Sequence, residues 1–385
     1  MKKPLLITII VLAILLLFPT VSFLRWAFQE KRSMNVVILD KTVPTLKRLG
    51  HHSFVYSMTN ARFVKKGKGG SLSAAKDYYG FIPLRPVREK QFRKRDFRLT
   101  ELIDLADKND ALYYTDTYGV FFNDWYQGIK KARRSRKLYG GLNNNDYLLL
   151  SEMKKRNKLV LLEYNTFDYP TAGLERFKTE ELLGITSTGW MGQYYGSLDT
   201  VSEHGVPDWM PALYRKQYHE PWTYTKPGVV LLKENSIIVL EEGTHLTSAM
   251  PVITTADPYT EKYSLPQSVT FTKSFDIIDP GENKIVSSFN LKTTPAGDTL
   301  LTVNELKAVF PAAIQDPVAG LTFYFSGDFA NNDIPFWTAR LKSADRLAKM
   351  FFYSENENDP KRFFWLYYKP LVTSIFKEYS ASSGK

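Results

Sequence analysis

Three short apolar runs punctuate the first half of the chain: Asn35–Leu39, Ala111–Thr115 and Leu159–Leu162. Each leads directly into an acid: Asp40, Asp116 or Glu163. Apolar runs of this length between polar residues read as strands buried on both faces. Helices fit between and after them, over 45–58, 100–106, 145–156 and 172–183. Asn145-Asp146 can cap the third helix, and Gly184 can stop the fourth. Alternating strands and helices imply a parallel sheet covered by helices on both faces.

Farther along, the pattern changes. Val229–Leu232 and Ile237–Leu240 flank Lys233-Glu234-Asn235-Ser236, a hairpin signal. Phe275–Ile278, Ile285–Leu291 and Thr299–Val303 read as further strands, so an antiparallel β-rich insertion is expected over about 225–305. Leu321–Phe325 is a last buried strand, running into Ser326-Gly327-Asp328. Helices are expected near Ala339–Tyr353 and Arg362–Tyr379, the second carrying Phe363, Phe364, Trp365, Tyr367 and Tyr368. Residues 60–100 hold 12 basic and 3 acidic side chains, with glycines at 67, 69 and 70, and read as a long loop.

The amino terminus is different again. Met1-Lys2-Lys3 precedes an apolar run from Pro4 to Leu24 that carries no charge until Arg25. About 20 residues cross a bilayer core, whereas a cleaved signal has a shorter apolar region. Residues 1–30 therefore read as an uncleaved signal anchor, one transmembrane helix, with Trp26 and Phe28 as interfacial anchors. The two lysines argue for an exported body over 31–385, although Arg25, Lys31, Arg32 and Lys41 after the run pull the other way. The expected setting is the bacterial inner membrane, single-pass, with the body facing the periplasm or the exterior.

Charge sharpens this picture. The chain carries a net +11, but residues 1–137 hold 27 basic and 11 acidic side chains and the remainder 24 and 29. The basic first third, including the runs at 62–98 and 130–137, suits an anionic lipid surface or an acidic glycan. Phe63, Phe92 and Phe97 interleave with the cations, as in single-strand binders, but a membrane segment just upstream disfavours nucleic acid. There is no cysteine, which excludes disulfides, thiolate metal sites and a cysteine nucleophile, and fits an oxidising compartment. No phosphate-binding glycine motif, serine-hydrolase elbow or paired histidine motif occurs, so no cofactor and no metal is expected.

The order strand, Gly140-Gly141, capped helix, strand, then Glu163-Tyr164-Asn165-Thr166-Phe167 resembles the class I glutamine amidotransferase-like fold. In that family the strand ends in a sharp Gly-x-Cys-x-Gly turn carrying the nucleophile. Here Asn165 stands at the cysteine position, and Glu163 and Phe167 replace the flanking glycines. The resemblance covers roughly 35–185 and implies an α/β fold of three layers with a mostly parallel sheet, glutamine amidotransferase-like or flavodoxin-like. Without the thiol, amidotransferase activity is excluded. Runs such as "LEYNTFDYPT" and "YFSGDF" are similar to uncharacterised membrane-anchored bacterial proteins of this group, some associated with polysaccharide.

In an open parallel sheet, ligands bind beyond the carboxyl ends of the strands. Asp40, Asp116, Glu163 and Asp328 would project there together, as candidate acid/base or glycan-hydrolysing carboxylates. The plainer alternative is that they cap local backbone. Asn165 on the turn, Tyr118, Trp190 and Tyr194 in neighbouring loops, and Gly140-Gly141 complete a candidate ligand site. The leading expectation is a cell-envelope module that binds or organises glycan without turnover. A glycan hydrolase and a structural partner docking a membrane-complex protein through the aromatic last helix are the rivals.

Overall fold

The computed structural model describes residues 17–67, 69–127, 135–202 and 205–383. Two sheets dominate. The larger has ten strands, and its centre is parallel: Thr322–Phe325, Leu159–Glu163, Ala111–Asp116, Val36–Asp40 and Tyr79–Pro83, in that spatial order. The three apolar runs are thus adjacent strands, buried on both faces as their continuity implied. Their side chains alternate faces. Ile38, Tyr113, Leu161 and Phe325 join the core on one side, while Leu39, Leu112, Leu162 and Tyr324 join the core on the other. Helices Leu102–Lys108 and Asn144–Lys155 cover the second side. Helices Leu49–Asn60 and Lys369–Ser383 cover the first.

The sheet is not mostly parallel. Beyond Thr322–Phe325 it continues antiparallel through Val309–Gln315, Lys284–Asn290, Val252–Thr255 and Ser268–Thr270. Short connections explain this. Only residues 316–321 link Val309–Gln315 to Thr322–Phe325, too few for the crossover a parallel pair needs. Asp316 tightens that link by accepting N–H bonds from Ala319, Leu321 and Thr322.

The expected loop at 60–100 instead supplies Tyr79–Pro83 and the edge strand Phe92–Arg95. Gly80 masked the first. Its φ is +126°, and a Cβ there would lie 1.7 Å from the Asp40 carbonyl oxygen, so only glycine fits beside that strand. The cations masked the second, although Lys and Arg are ordinary on an exposed edge. Thr299–Val303, expected as a strand, belongs to helix Pro295–Val303. Thr294 caps it through Gly297 N–H, and proline is its first residue.

The antiparallel strands of 225–305 are divided between the sheets. Gly228–Lys233 and Ser236–Glu241 form the expected hairpin, and with Thr186–Tyr195 and Ser274–Asp279 make a second, four-stranded sheet. Its outer face packs under helix Trp209–Tyr218 through Val230, Val239, Met210 and Tyr214. The aromatic last helix is a core element. Phe363, Phe364, Trp365, Tyr367 and Tyr368 are all buried, and Phe376 meets Phe54. Those rings are therefore not available to dock a partner.

Among the described residues, no helix is long and apolar enough to cross a membrane. The run beginning at Pro4 is described only from Leu17, with helix over 17–27, so Pro4–Leu16 lie outside the described residues. The same holds for Lys130–Arg134 of the second basic run.

Candidate functional site

The carboxyl edge of the parallel strands gathers the four expected acids. Asp40 and Asp116 end adjacent strands in direct register, Glu163 ends the next, and Asp328 follows the fourth. All are at most 7% exposed. Each is held by local partners. Asp116 accepts Tyr118 N–H at 2.8 Å, and Asp328 accepts Asn331 Nδ2 at 2.7 Å. Glu163 accepts Ala330 N–H at 3.0 Å on one oxygen and the Tyr113 hydroxyl on the other. Tyr113 in turn meets the Tyr368 hydroxyl at 2.9 Å, so a buried chain of hydroxyls runs from the last helix to Glu163.

Burial without full compensation raises a carboxyl pKa, and neighbouring acids add to the effect. Asp116 is pushed well above its ordinary value by burial, then by Asp328 and Asp40. Burial pushes Glu163 up against the hydrogen bonds it accepts. Burial also raises Asp328, although the Lys273 ammonium opposes it. Lys273, reaching Asn332 Oδ1 at 2.7 Å, is itself brought down to about 8 by the same burial. Asp116, Glu163 and Asp328 therefore hold protons that exposed carboxyls would lose, chiefly through burial.

Asp40 has a more specific partner. His51 Nδ1 lies 2.6 Å from its Oδ2, and His51 Nε2 lies 2.8 Å from the Ala74 carbonyl. A carbonyl can only accept, so Nε2 carries a proton and Nδ1 faces the carboxyl. The ring is thus fixed at both ends and has no nitrogen left for a nucleophile. The next residue, Lys41, is 1% exposed and reaches Asp146 Oδ2 at 2.5 Å and the Gly141 carbonyl at 2.8 Å. Asp146 belongs to the box that starts helix Asn144–Lys155, whose cap is Asn143 rather than Asn145.

Gly140-Gly141 holds these loops together. A Cβ on Gly140 would meet the Tyr118 carbonyl at 2.2 Å, and one on Gly141 would meet the Pro170 carbonyl at 2.4 Å. Gly141 N–H donates to Thr117 at 2.7 Å. The pair acts by close backbone approach, drawing the loops after Asp116 and Glu163 side by side.

Asn165 takes the left-handed conformation expected of a sharp turn, at φ +62°. Its N–H donates to Asp276 Oδ2 at 2.8 Å, and its carbonyl accepts the Thr117 hydroxyl at 2.8 Å. Its buried side-chain oxygen accepts no hydrogen bond, nor does Oδ1 of Asp276 or Oδ2 of Asp168. Buried polar atoms normally have partners. Asp276 also accepts the Tyr324 hydroxyl at 2.8 Å, and burial raises its pKa strongly, with Asp168 adding to the effect. Sequence reasoning missed Lys41, His51, Lys273, Asp276 and Asp168. Asp276 sits inside an apolar strand, SFDIID, and an acid flanked by buried residues was the one available signal.

The aromatic candidates separate. Tyr118 belongs to the edge, with its ring 4.8 Å from Phe121, which lies 6.0 Å from the ring of Tyr169. Tyr169, on the loop after Asn165, is 66% exposed. Trp190 and Tyr194 are in the strand Thr186–Tyr195 of the second sheet, not in loops. Trp190 is buried, beneath Lys233. No His, Asp or Glu grouping able to hold a metal ion occurs among the described residues.

Comparison with known proteins adds little. A crystal structure of a glutamine amidotransferase from Thermotoga maritima overlaps 91% of this chain and 99% of its own, at TM-score 0.36 and 9% identity. A ThuA-like protein from Bacteroides uniformis overlaps 87% and 98%, at TM-score 0.35 and 8% identity. Likeness at those scores carries no argument about this chain. No protein-family model matches it, and no curated protein matches it in sequence.

Proposed function

We propose that this chain is a non-catalytic, glutamine amidotransferase-like module of the bacterial cell envelope. In this reading its amino-terminal run anchors it in the inner membrane, and it binds or organises glycan at the carboxyl edge of its parallel strands. One observation carries the reading. Tyr118, Phe121 and Tyr169 form an aromatic ledge, open at Tyr169, directly joined to the strand-end acids through Tyr118 N–H on Asp116. Aromatic faces accept the apolar C–H faces of sugar rings, and convergent polar groups fix orientation. The absence of turnover is supported by Asn165 at the turn and by His51, whose nitrogens are both engaged.

A glycan array probed with the whole protein is expected to show binding without product. Tyr169→Ala is expected to weaken it about tenfold, near 1.4 kcal/mol, with an unchanged circular dichroism spectrum. Equal binding by the variant removes the ledge. The hydrolase reading has the proton-retaining carboxyls in its favour. Product released by the wild type and lost in Glu163→Gln would replace binding with turnover.

A further inference from the structure

The helix over 17–27 touches the body along one narrow stripe. Ser22 and Trp26, one turn apart, are buried, while Leu17, Phe18, Val21, Phe23 and Leu24 are exposed. The Ser22 carbonyl accepts Lys342 N–H at 3.2 Å, and its hydroxyl accepts Ser343 N–H at 3.1 Å. Trp26 Nε1 donates to the Thr59 carbonyl at 3.1 Å, under the Arg62 guanidinium. The body therefore reaches up the helix as far as Ser22. At 1.5 Å per residue, that is about 4.5 Å beyond Arg25, the first charge after the apolar run.

The helix that follows this contact directly is amphipathic. Helix Ala344–Phe351 turns Ala344 and Ala348 inward and leaves Arg346, Lys349, Met350 and Phe351 outward. Met350 is 72% exposed, Phe351 69%, and nearby Trp337 65%. Trp337 stands edge-on to Phe352 at 6.3 Å, which joins the two elements. The one acid of this helix, Asp345, is paired with Lys369.

We propose that residues 336–351 form an interfacial patch resting on an anionic phospholipid bilayer. Trp337, Met350 and Phe351 enter the boundary between headgroups and acyl chains, and Arg346 and Lys349 meet the lipid phosphates. The inference rests on reading the amino-terminal run as a membrane anchor. Three features select a bilayer as the occupant. In the sequence, the apolar run extends from Leu17 back to Pro4, amino-terminal to the residue that contacts 342–343. Interfacial helices bury their apolar face roughly 5–10 Å deep, which includes the level of Ser22. Cations flanking large apolar side chains also match an anionic surface.

The natural absence of cysteine makes the test clean, because one introduced thiol takes one label. Met350→Cys, Leu17→Cys and Val318→Cys are each labelled with an environment-sensitive fluorophore on the full chain. Each is reconstituted in phosphatidylcholine–phosphatidylglycerol vesicles containing a lipid spin-labelled high on the acyl chain. Quenching of about twofold is expected at 350 and at 17, and none at 318. Arg346→Gln with Lys349→Gln is expected to remove the dependence of the 350 signal on phosphatidylglycerol. Quenching at 17 without quenching at 350 overturns the patch and leaves the anchor standing. Quenching at neither overturns both. Disulfide-linked dimers of unlabelled Met350→Cys, formed in the same vesicles, would assign the face to a second copy and also overturn the proposal.

Discussion

The two edges of the same five parallel strands are built by opposite means. At the carboxyl edge Asp40, Lys41, His51, Glu163 and Asp276 are all at most 1% exposed, so charged groups form a packed floor beneath the exposed Tyr169. At the amino edge a groove of about 550 Å³ is open to solvent, lined by Lys154, Asn157, Lys158, Asn283, Asp316 and Val318. The same residue type behaves differently at each. Burial drives the Asp276 carboxyl far up. Burial also acts on Asp316, but backbone N–H bonds from Thr322, Gly320, Ala319 and Leu321 outweigh it and hold that carboxyl below its ordinary value. Buried charge is costly unless paired, so the carboxyl edge is the strained and preorganised one. The amino edge is held by inexpensive turn geometry.

The severest way to break this contrast is Lys41→Met. It leaves Asp146, 1% exposed, without its ammonium partner, and removing one member of a buried pair costs about 3–5 kcal/mol. Urea unfolding is expected to show a loss in that range. Lys41→Met with Asp146→Asn is expected to recover part of it, since the amide still accepts Asn143 N–H and carries no charge. A loss below about 1 kcal/mol in the single variant would mean the pair behaves like a surface one.

The same contrast decides what could be read from the sequence. The parallel centre was legible because strands buried on both faces must be apolar throughout, and Val36–Asp40, Ala111–Asp116 and Leu159–Glu163 each end where an acid meets the edge. Three of the four candidate acids followed from those strand ends, and Asp328 from the further apolar run that ends at Phe325. The antiparallel strands were legible only in part: the hairpin Gly228–Lys233 with Ser236–Glu241 and the runs within Ser274–Asp279 and Lys284–Asn290 showed, but others did not. Thr186–Tyr195 contains two glycines, with Gly192 packed against Phe275, and Ser268–Thr270 is only three residues long. Neither offers a run to detect. Lys41 and His51 were invisible for another reason. A charged residue beside a strand reads as solvated until the fold brings Asp146, 105 positions away, against it.

A pH series separates the edges further. Asp116, Glu163, Asp276 and Asp328 have folded pKa values raised above the unfolded ones. The folded chain then holds the extra protons, so their contribution is complete below about pH 4 and is lost as pH rises through the folded values. Asp316 has the opposite sign: its contribution is present above about pH 4 and is lost as pH falls through its lowered value. Asp276→Asn is therefore expected to flatten the decline in stability on the alkaline side, and Asp316→Asn to flatten the decline in acid. Denaturant midpoints measured across roughly pH 3 to 9 check both slopes. Identical profiles for the two variants would erase the distinction.

The smallest effect is the control that gives the others meaning. Val318 lines the amino-edge groove and is 94% exposed, so it is almost as wet in the folded chain as in the unfolded one. Val318→Ala removes two methyl groups that bury almost no area, and substitutions of this kind stay within about 0.5 kcal/mol. The neighbouring turn is held by Asp316, which accepts Val318 N–H among others, and by Asn283, whose amide reaches the Gly184 and Pro280 carbonyls at 2.9 and 2.8 Å, and none of these bonds uses the Val318 side chain. The urea midpoint is expected not to move. A shift equivalent to more than 1 kcal/mol would show that the groove is closed over Val318 in solution, and the amino edge would then have to be counted, like the carboxyl edge, as part of the packed interior.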